Sequence, residues 1–185
     1  MTQHIALDCE FTGLHQHSTL ISLALCAEDG RSFYAEFTDF DRGQLDDWLR
    51  ENVLAHCRWV AAPAPQPFTR TQGGSTDCCA DRHAVRAALE SWLAQWPAIE
   101  IWADCPAWDW VLFCELFGGA RRIPGQIDYL PRDFATLLAS RGLGAHADRD
   151  QWRIDKNANQ HNALDDAAAL MNGLRTLGVA EHPEK

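Results

Sequence analysis

HIALDCEF, residues 4–11, is the stretch that decides the fold. Its apolar residues Ile5 and Leu7 are separated by a single residue, which is the two-residue period of a β-strand. The same period places Asp8 and Glu10 together on one face, roughly 7 Å apart along the strand. The stretch therefore predicts a strand that carries two carboxylates on one side.

These two carboxylates can be explained in two ways. Two ionised carboxylates this close repel each other, and the surrounding apolar residues offer no obvious cationic partner. A divalent cation would balance the two charges. A strand end with two solvated acids is the alternative, because a pattern as short as D-x-E has little specificity.

A third carboxylate lies on a helix predicted to follow the short buried strand at 99–103. Asp104 is predicted to cap this helix, with Pro106 in its first turn. Asp109 shares its helical stripe with apolar neighbours, so its side chain is expected to face the interior. Either a metal ion or a buried hydrogen bond, to a backbone amide or a neighbouring tryptophan indole, would explain an acid there.

The last predicted helix begins within HNALDDA, residues 161–167, where Asn159 or Asn162 is the expected cap. Asp166 lies on the stripe that continues through the leucines of this helix, whereas Asp165 lies on a more polar side. Asp166 is therefore the expected ligand of the two. His161 stands before the regular turns and could reach over the same site, although a lone histidine is more often a surface or capping group.

Taken together, these segments resemble the DEDDh branch of the DnaQ-like 3′–5′ exonucleases, which have the ribonuclease H-like fold. The resemblance is carried by Asp8 and Glu10 in LDCEFTGL, by Asp109 in AWDWVLF, and by His161 with Asp166 in HNALDDA. Longer stretches, among them IEIWADCPAWDWVLFCELFGG, further resemble a small group of bacterial exoribonucleases with a mycobacterial-type domain. This resemblance extends over most of the chain.

The resemblance implies an α/β fold, with a mixed β-sheet flanked by helices, and two divalent cations, Mg²⁺ or Mn²⁺. It implies that Asp8 bridges the two ions, that Glu10 and Asp166 help to hold the ion that bears the attacking water, and that Asp109 serves the other ion. His161 would be the general base, because histidine exchanges protons near neutral pH.

The family also binds the terminal nucleotide just after its first acidic pair. By this resemblance Phe11, Thr12 and Leu14 are the expected substrate contacts, although Phe11 could equally belong to the core. The expected reaction releases nucleoside 5′-monophosphates from the 3′ end of single-stranded RNA or from short oligoribonucleotides.

The sequence leaves two other functions open. The motif does not choose the sugar, so a 3′–5′ DNA exonuclease of the proofreading or repair type is a close alternative. A non-catalytic nucleic-acid-binding or adaptor domain is the second alternative. Such proteins usually lose a metal ligand, whereas all five positions are filled here.

The remaining patterns predict one domain, residues 1–185, that begins with strands and continues with alternating helices and strands. Residues 19–25 and 32–37 flank EDGR and predict a hairpin. Helices are predicted at 45–54, 82–96 and 134–140. The segment from about 61 to 78, rich in proline and glycine, is predicted to be a loop.

Charge and composition restrict the partners. The net charge of −10 argues against tight binding of extended duplexes and favours a short single-stranded end held by metal and stacking. Arg121 and Arg122, with Arg132, form the one compact basic run, which fits either a nucleic-acid backbone or a solvated turn. The eight tryptophans and the family resemblance make a homodimer a reasonable expectation.

Cysteine content and hydropathy give the expected location. The seven cysteines form no C-x-x-C pair and no secretory apolar segment begins the chain, which favours a reducing cytoplasm. No apolar run approaches the roughly 18 residues that a membrane-spanning helix needs, so no membrane partner is expected.

Overall fold

The protein is seen here as a computed structural model that describes residues 2–153 and 160–181. Seven strands form one sheet: β1 (Gln3–Phe11), β2 (Leu20–Ala27), β3 (Ser32–Phe37), β4 (Phe68–Gln72), β5 (Ser75–Ala80), β6 (Ile99–Ala103) and β7 (Arg132–Asp133). The α-helices are α1 (Asp47–Asn52), α2 (Arg82–Leu93), α3 (Pro106–Leu116), α4 (Phe134–Ser140) and α5 (Ala163–Thr176). Short 3-10 turns occupy Arg42–Gln44, Leu54–His56, Ala120–Arg122 and Arg149–Trp152.

The sheet is mixed, with the order β4-β5-β3-β2-β1-β6-β7. Its antiparallel pairs are β1–β2, β2–β3 and β4–β5, and its parallel pairs are β3–β5, β1–β6 and β6–β7. The predicted hairpin around EDGR is confirmed as β2 and β3. Because β1 and β6 are parallel and Leu7 pairs with Ala103, Asp8 lies beside the point where β6 leads into α3.

The two faces of β1 pack against different helices. Ile5 and Leu7 are fully buried in a core with α2 and α3, to which Leu89 and Phe113 belong. Ala6, on the other face, lies in a second core formed mainly with α4 and α5. The two-residue period thus directs the carboxylates of β1 toward the face that α5 covers. A mixed sheet flanked by helices, as the sequence predicts, positions the site.

The predicted loop at 61–78 is wrong in its second half. Residues 61–67 are irregular, but β4 and β5 form a hairpin closed by Gly73 and Gly74, whose φ angles are 58° and 82°. A two-residue turn with both φ angles positive suits paired glycines. β4 is largely exposed at the sheet edge, so Thr-Arg-Thr-Gln lacks the apolar alternation that identifies a half-buried strand.

The predicted helices are confirmed with adjusted bounds. The helix at 134–140 is α4 with the predicted ends. The helix predicted at 82–96 ends at Leu93, and that predicted at 45–54 is regular only over Asp47–Asn52. Over residues 2–153 and 160–181, every helix is too short or too polar to cross a bilayer.

Candidate active site

A cavity of about 660 Å³ lies beside the carboxyl end of β1. All five residues of the predicted catalytic set line it: Asp8, Glu10, Asp109, His161 and Asp166. They come from β1, from α3, and from the start of α5 with the turn before it. The fold thus brings together residues that are up to 158 positions apart.

Three of these acids form a cluster. Asp8, Glu10 and Asp166 each offer a carboxylate oxygen, and these oxygens all lie within 4.8 Å of one another. β1 supplies two of them from one face, and the first turn of α5 supplies the third. A set of partly buried carboxylate oxygens at this spacing fits a hard divalent cation such as Mg²⁺ or Mn²⁺. Of the two adjacent acids on α5, Asp166 lines the cavity, as the helix stripe predicts.

The acids of the site have raised pKa values. Burial, followed by the charge of Asp109, raises the pKa of Asp8 well above its usual range. Burial, followed by the charges of Asp166 and Asp109, raises the pKa of Glu10 to about 8. Placing several acids in one partly buried site makes it costly to ionise them all. A divalent cation would remove that cost.

Asp109 borders the cluster. Asp109 is 6% exposed. Burial raises the pKa of its carboxyl to about 7, against the opposing effect of a backbone hydrogen bond from Cys9. Its charge is the leading electrostatic cause of the raised pKa of Asp8, so the two carboxylates are close neighbours. The predicted interior orientation of Asp109 is confirmed. The position suits a second cation shared with Asp8.

His161 lies just before α5 in an unusual conformation. Its φ is 64°, the one positive value among the described non-glycine residues. Its backbone N–H donates to Asp166 Oδ2 at 2.9 Å, so the strained turn also orients the carboxylate. Asn162, the next residue, caps α5 by accepting from the N–H groups of Leu164 and Asp165. Asn159, the other predicted cap, lies outside the described residues.

The capping role predicted for Asp104 is wrong. Cys105 occupies the N-cap position of α3 without a side-chain hydrogen bond. The Asp104 carboxylate instead accepts from Arg149 Nε at 2.8 Å and from Arg149 Nη2 at 2.7 Å. This bidentate pair ties the 3-10 turn at Arg149–Trp152 to the end of β6.

Arg153, which sequence reasoning missed, contacts the acidic cluster directly. Its Nη2 donates to Asp166 Oδ1, and burial raises the pKa of Asp166 against the opposing effect of this charge. Arg132, which was grouped with Arg121 and Arg122, is paired with Glu100 and Asp128 instead of extending a basic surface. No local pattern marks Arg153 as different from the other arginines.

The rim of the cavity is apolar and aromatic. Phe11 stacks on Trp108 with ring centroids 6.5 Å apart, and both rings line the cavity. Leu14 is 69% exposed, and Trp48 is 52% exposed with its ring 5.1 Å from that of His161. Trp48 was also missed, because an exposed tryptophan on a short helix has no distinguishing pattern.

Thr12, the remaining predicted substrate contact, is 2% exposed. Its hydroxyl bonds to Gln44, and its backbone N–H donates to the carbonyl of Thr19 at 3.0 Å. These contacts hold the turn that leads to Leu14. Phe11 and Leu14 border the cavity directly, whereas Thr12 supports them from behind, and its contact with substrate stays a prediction.

The model of the 3′–5′ exoribonuclease Rv2179c-like domain family matches residues 3–177. The chain belongs to this family. Its sequence-based interpretation as a 3′–5′ exonuclease is thereby confirmed.

Relatives and a solved structure agree with this assignment. The 3′–5′ exoribonucleases Rv2179c and MT2234.1, from two strains of Mycobacterium tuberculosis, are each 29% identical over 172 residues, 92% of this chain and 90% of theirs. The crystal structure of Escherichia coli exonuclease I with a 5cy-dA13 oligonucleotide superposes with a TM-score of 0.52 at 15% identity. It covers 95% of this chain, which spans 41% of that longer one. This likeness confirms the ribonuclease H-like fold.

The raised pKa values predict that the stability of the protein stripped with EDTA falls as pH rises. Unfolded carboxyls ionise near about pH 4, but Glu10 and Asp109 keep their protons in the folded protein to about pH 8 and 7. From about pH 4 up to these folded pKa values, the folded state therefore binds more protons than the unfolded state. The free energy of unfolding decreases as the pH rises through this range. Calorimetric melts at pH 5.5 and 8 would measure this, and Mn²⁺ should raise the melting temperature more at pH 8.

Glu10→Gln tests whether the carboxyls of the site, rather than the overall negative charge of the protein, cause this pH dependence. It removes a carboxyl whose pKa is raised, so the fall in melting temperature between the two pH values should be smaller than in the wild type. A slope unchanged by Glu10→Gln, or an equal Mn²⁺ effect at both pH values, would contradict the prediction.

Proposed function

We propose that this chain, acting as a single domain, is a two-metal 3′–5′ exoribonuclease. It would hydrolyse the terminal phosphodiester at single-stranded RNA 3′ ends or in short oligoribonucleotides and release nucleoside 5′-monophosphates. The observation that carries the proposal is the acidic cluster. Carboxylate oxygens of Asp8, Glu10 and Asp166 lie within 4.8 Å of one another, and Asp109 and His161 line the same cavity. Membership of an exoribonuclease family supports RNA as the substrate.

Each residue has a distinct role in this proposal. Asp8, Glu10 and Asp166 would hold one divalent cation, and Asp8 with Asp109 would hold the other. When bound, the cations lower the pKa of the attacking water and stabilise charge on the leaving oxygen. His161 would accept the proton of the attacking water. The positive-φ turn and the contact with Trp48 hold the His161 ring in place.

The apolar rim would receive the terminal bases. Phe11 and Trp48 line the cavity with aromatic rings suited to stacking, which accepts any base, and Leu14 adds an exposed apolar surface. The net charge of −10 supports a short substrate, because binding along an extended backbone needs positive charge. Base identity is therefore expected to matter little.

A degradation assay on matched substrates tests the proposal. Single-stranded RNA and DNA of one sequence, each labelled at the 5′ end, are incubated with protein and Mn²⁺ or Mg²⁺, with EDTA and Asp166→Asn as controls. We expect an RNA ladder that shortens from the 3′ end and that both controls abolish. A ladder on DNA alone would assign a DNA exonuclease instead, and intact substrates throughout would assign a binding role.

A further inference from the structure

Arg153 is held against the acidic cluster by two partners. Its Nε donates to Asp150 Oδ1 at 2.8 Å, and its Nη2 donates to Asp166 Oδ1. The side chain is 7% exposed and lines the cavity. Asp150 is 61% exposed, so its pairing anchors the guanidinium from the outer side while Asp166 holds it from within.

One donor of this guanidinium has no partner in the described part of the chain. Nη1 is buried and makes no hydrogen bond there. A buried guanidinium nitrogen without an acceptor is unfavourable, and more so because the group is charged. An arginine that lines a cavity with a spare buried donor is suited to an anionic ligand, because its planar fork matches phosphate oxygens.

The charges of the site point to the same ligand. Among the described residues that line the cavity, the four proposed ligand carboxylates would be balanced by two divalent cations, so a substrate phosphate would add negative charge that these ions do not compensate. Arg153 supplies one positive charge in contact with Asp166. Arg149, the other arginine that lines the cavity, already has its guanidinium bound to Asp104 and to the carbonyls of Ala145 and Ala147.

We propose that Arg153 has two roles, an inference that rests on the proposed function. Without metal it neutralises Asp166, and with metal and nucleotide present its guanidinium donates to the phosphate of the terminal nucleotide. It is therefore a phosphate-binding residue that also lowers the intrinsic affinity of the cluster for metal. These two effects have opposite signs, which a purely structural arginine would not produce.

Binding measurements on Arg153→Met separate these effects. By calorimetry, Mn²⁺ alone should bind about tenfold more tightly than to the wild type, because a competing charge beside Asp166 is lost. AMP, measured at saturating Mn²⁺, should bind about tenfold more weakly, because a charge-assisted hydrogen bond is lost. In EDTA the variant should melt at a lower temperature, and Mn²⁺ should restore it, which shows that it folds.

Two variants serve as controls. Arg153→Lys keeps the charge without the fork, so Mn²⁺ affinity should remain near that of the wild type while AMP affinity still falls. Arg132→Met removes a cation paired with Glu100 and Asp128 outside the cavity lining, and should change neither affinity.

The possible failures are distinguishable. If Arg153→Met weakens both Mn²⁺ and AMP, or alters neither, while the wild type binds both and shortens RNA, this inference alone is overturned. If the wild type binds no Mn²⁺, both the proposed function and this inference are overturned.

Discussion

Asp166→Asn should lower the exonuclease rate by about a thousandfold or more, whereas Asp165→Asn should leave it within a few-fold of the wild type. Asp166 offers a carboxylate oxygen within 4.8 Å of those of Asp8 and Glu10, and Asp165 is absent from the cavity lining. Asparagine keeps the shape of Asp166 and can still accept from the His161 N–H, although its NH₂ group then faces Arg153 Nη2. The bond that orients the turn before α5 is therefore kept, and the loss would report the missing negative charge together with the broken pair with Arg153.

Single-turnover rates on 5′-labelled RNA, at saturating Mn²⁺, would measure this difference. A parallel Mn²⁺ titration should show weakened binding for Asp166→Asn and unchanged binding for Asp165→Asn. The two adjacent positions control for each other, because both variants remove one charge from the first turn of α5. Equal losses of rate would show that the helix-face assignment is wrong.

The proposed site residues on β1 and α3 were predictable because each stands out from its local pattern. Asp8 and Glu10 interrupt an apolar strand, and Asp109 interrupts an apolar helical stripe. Burying an acid is costly, so an acid in such a position indicates a function that balances the cost. The period of each element then indicated the direction of each side chain, which the shared cavity bears out.

The remainder of the site depends on contacts that no local pattern encodes. Arg149 binds Asp104 across 45 residues of chain, and Arg153 reaches Asp166 across 13. Asp104 was predicted to cap α3 because it stands just before this helix, and capping is a local explanation for an acid at that position. Surface arginines resemble buried ones in sequence, so only the three-dimensional arrangement identifies the arginine that contacts the cluster.

The β4–β5 hairpin was missed for a related reason. A strand is recognised in sequence by the apolar residues that it buries, and four of the five residues of β4 are exposed. Its Gly73–Gly74 turn was visible, but the nearby prolines made a loop the simpler interpretation. Edge strands are stabilised by pairing with a neighbour, which the sequence of the strand itself does not record.

The second large effect is expected at Glu36, which lies outside the cavity. This residue is fully buried on β3. Its Oε1 accepts from Tyr34 Oη at 2.7 Å and from the Arg58 N–H at 2.5 Å. Its Oε2 accepts from the N–H groups of Trp59 and Val60 at 2.8 and 2.6 Å. One carboxylate thus satisfies four donors and fixes the chain between α1 and β4.

The same network extends to the residue beside His161, the proposed general base. Asn162 Nδ2 lies 3.5 Å from Tyr34 Oη and donates to the carbonyl of His56 at 2.9 Å. Asn162 caps α5 and directly follows His161. Loss of the Glu36 acceptors would therefore loosen the start of α5 as well as the loop, so a decrease in activity should accompany the loss of stability.

Glu36→Gln should decrease the free energy of unfolding by about 2 to 4 kcal/mol. Glutamine replaces one acceptor oxygen by an NH₂ group, so in either orientation at least one buried backbone N–H faces another donor. Glu90→Gln is the matched control, since its ion pair with Arg86 is 43% exposed at both side chains and should contribute less than about 1 kcal/mol. Urea unfolding would measure both variants, and a Glu36→Gln value within error of Glu90→Gln would show that the buried carboxylate is not required for the fold.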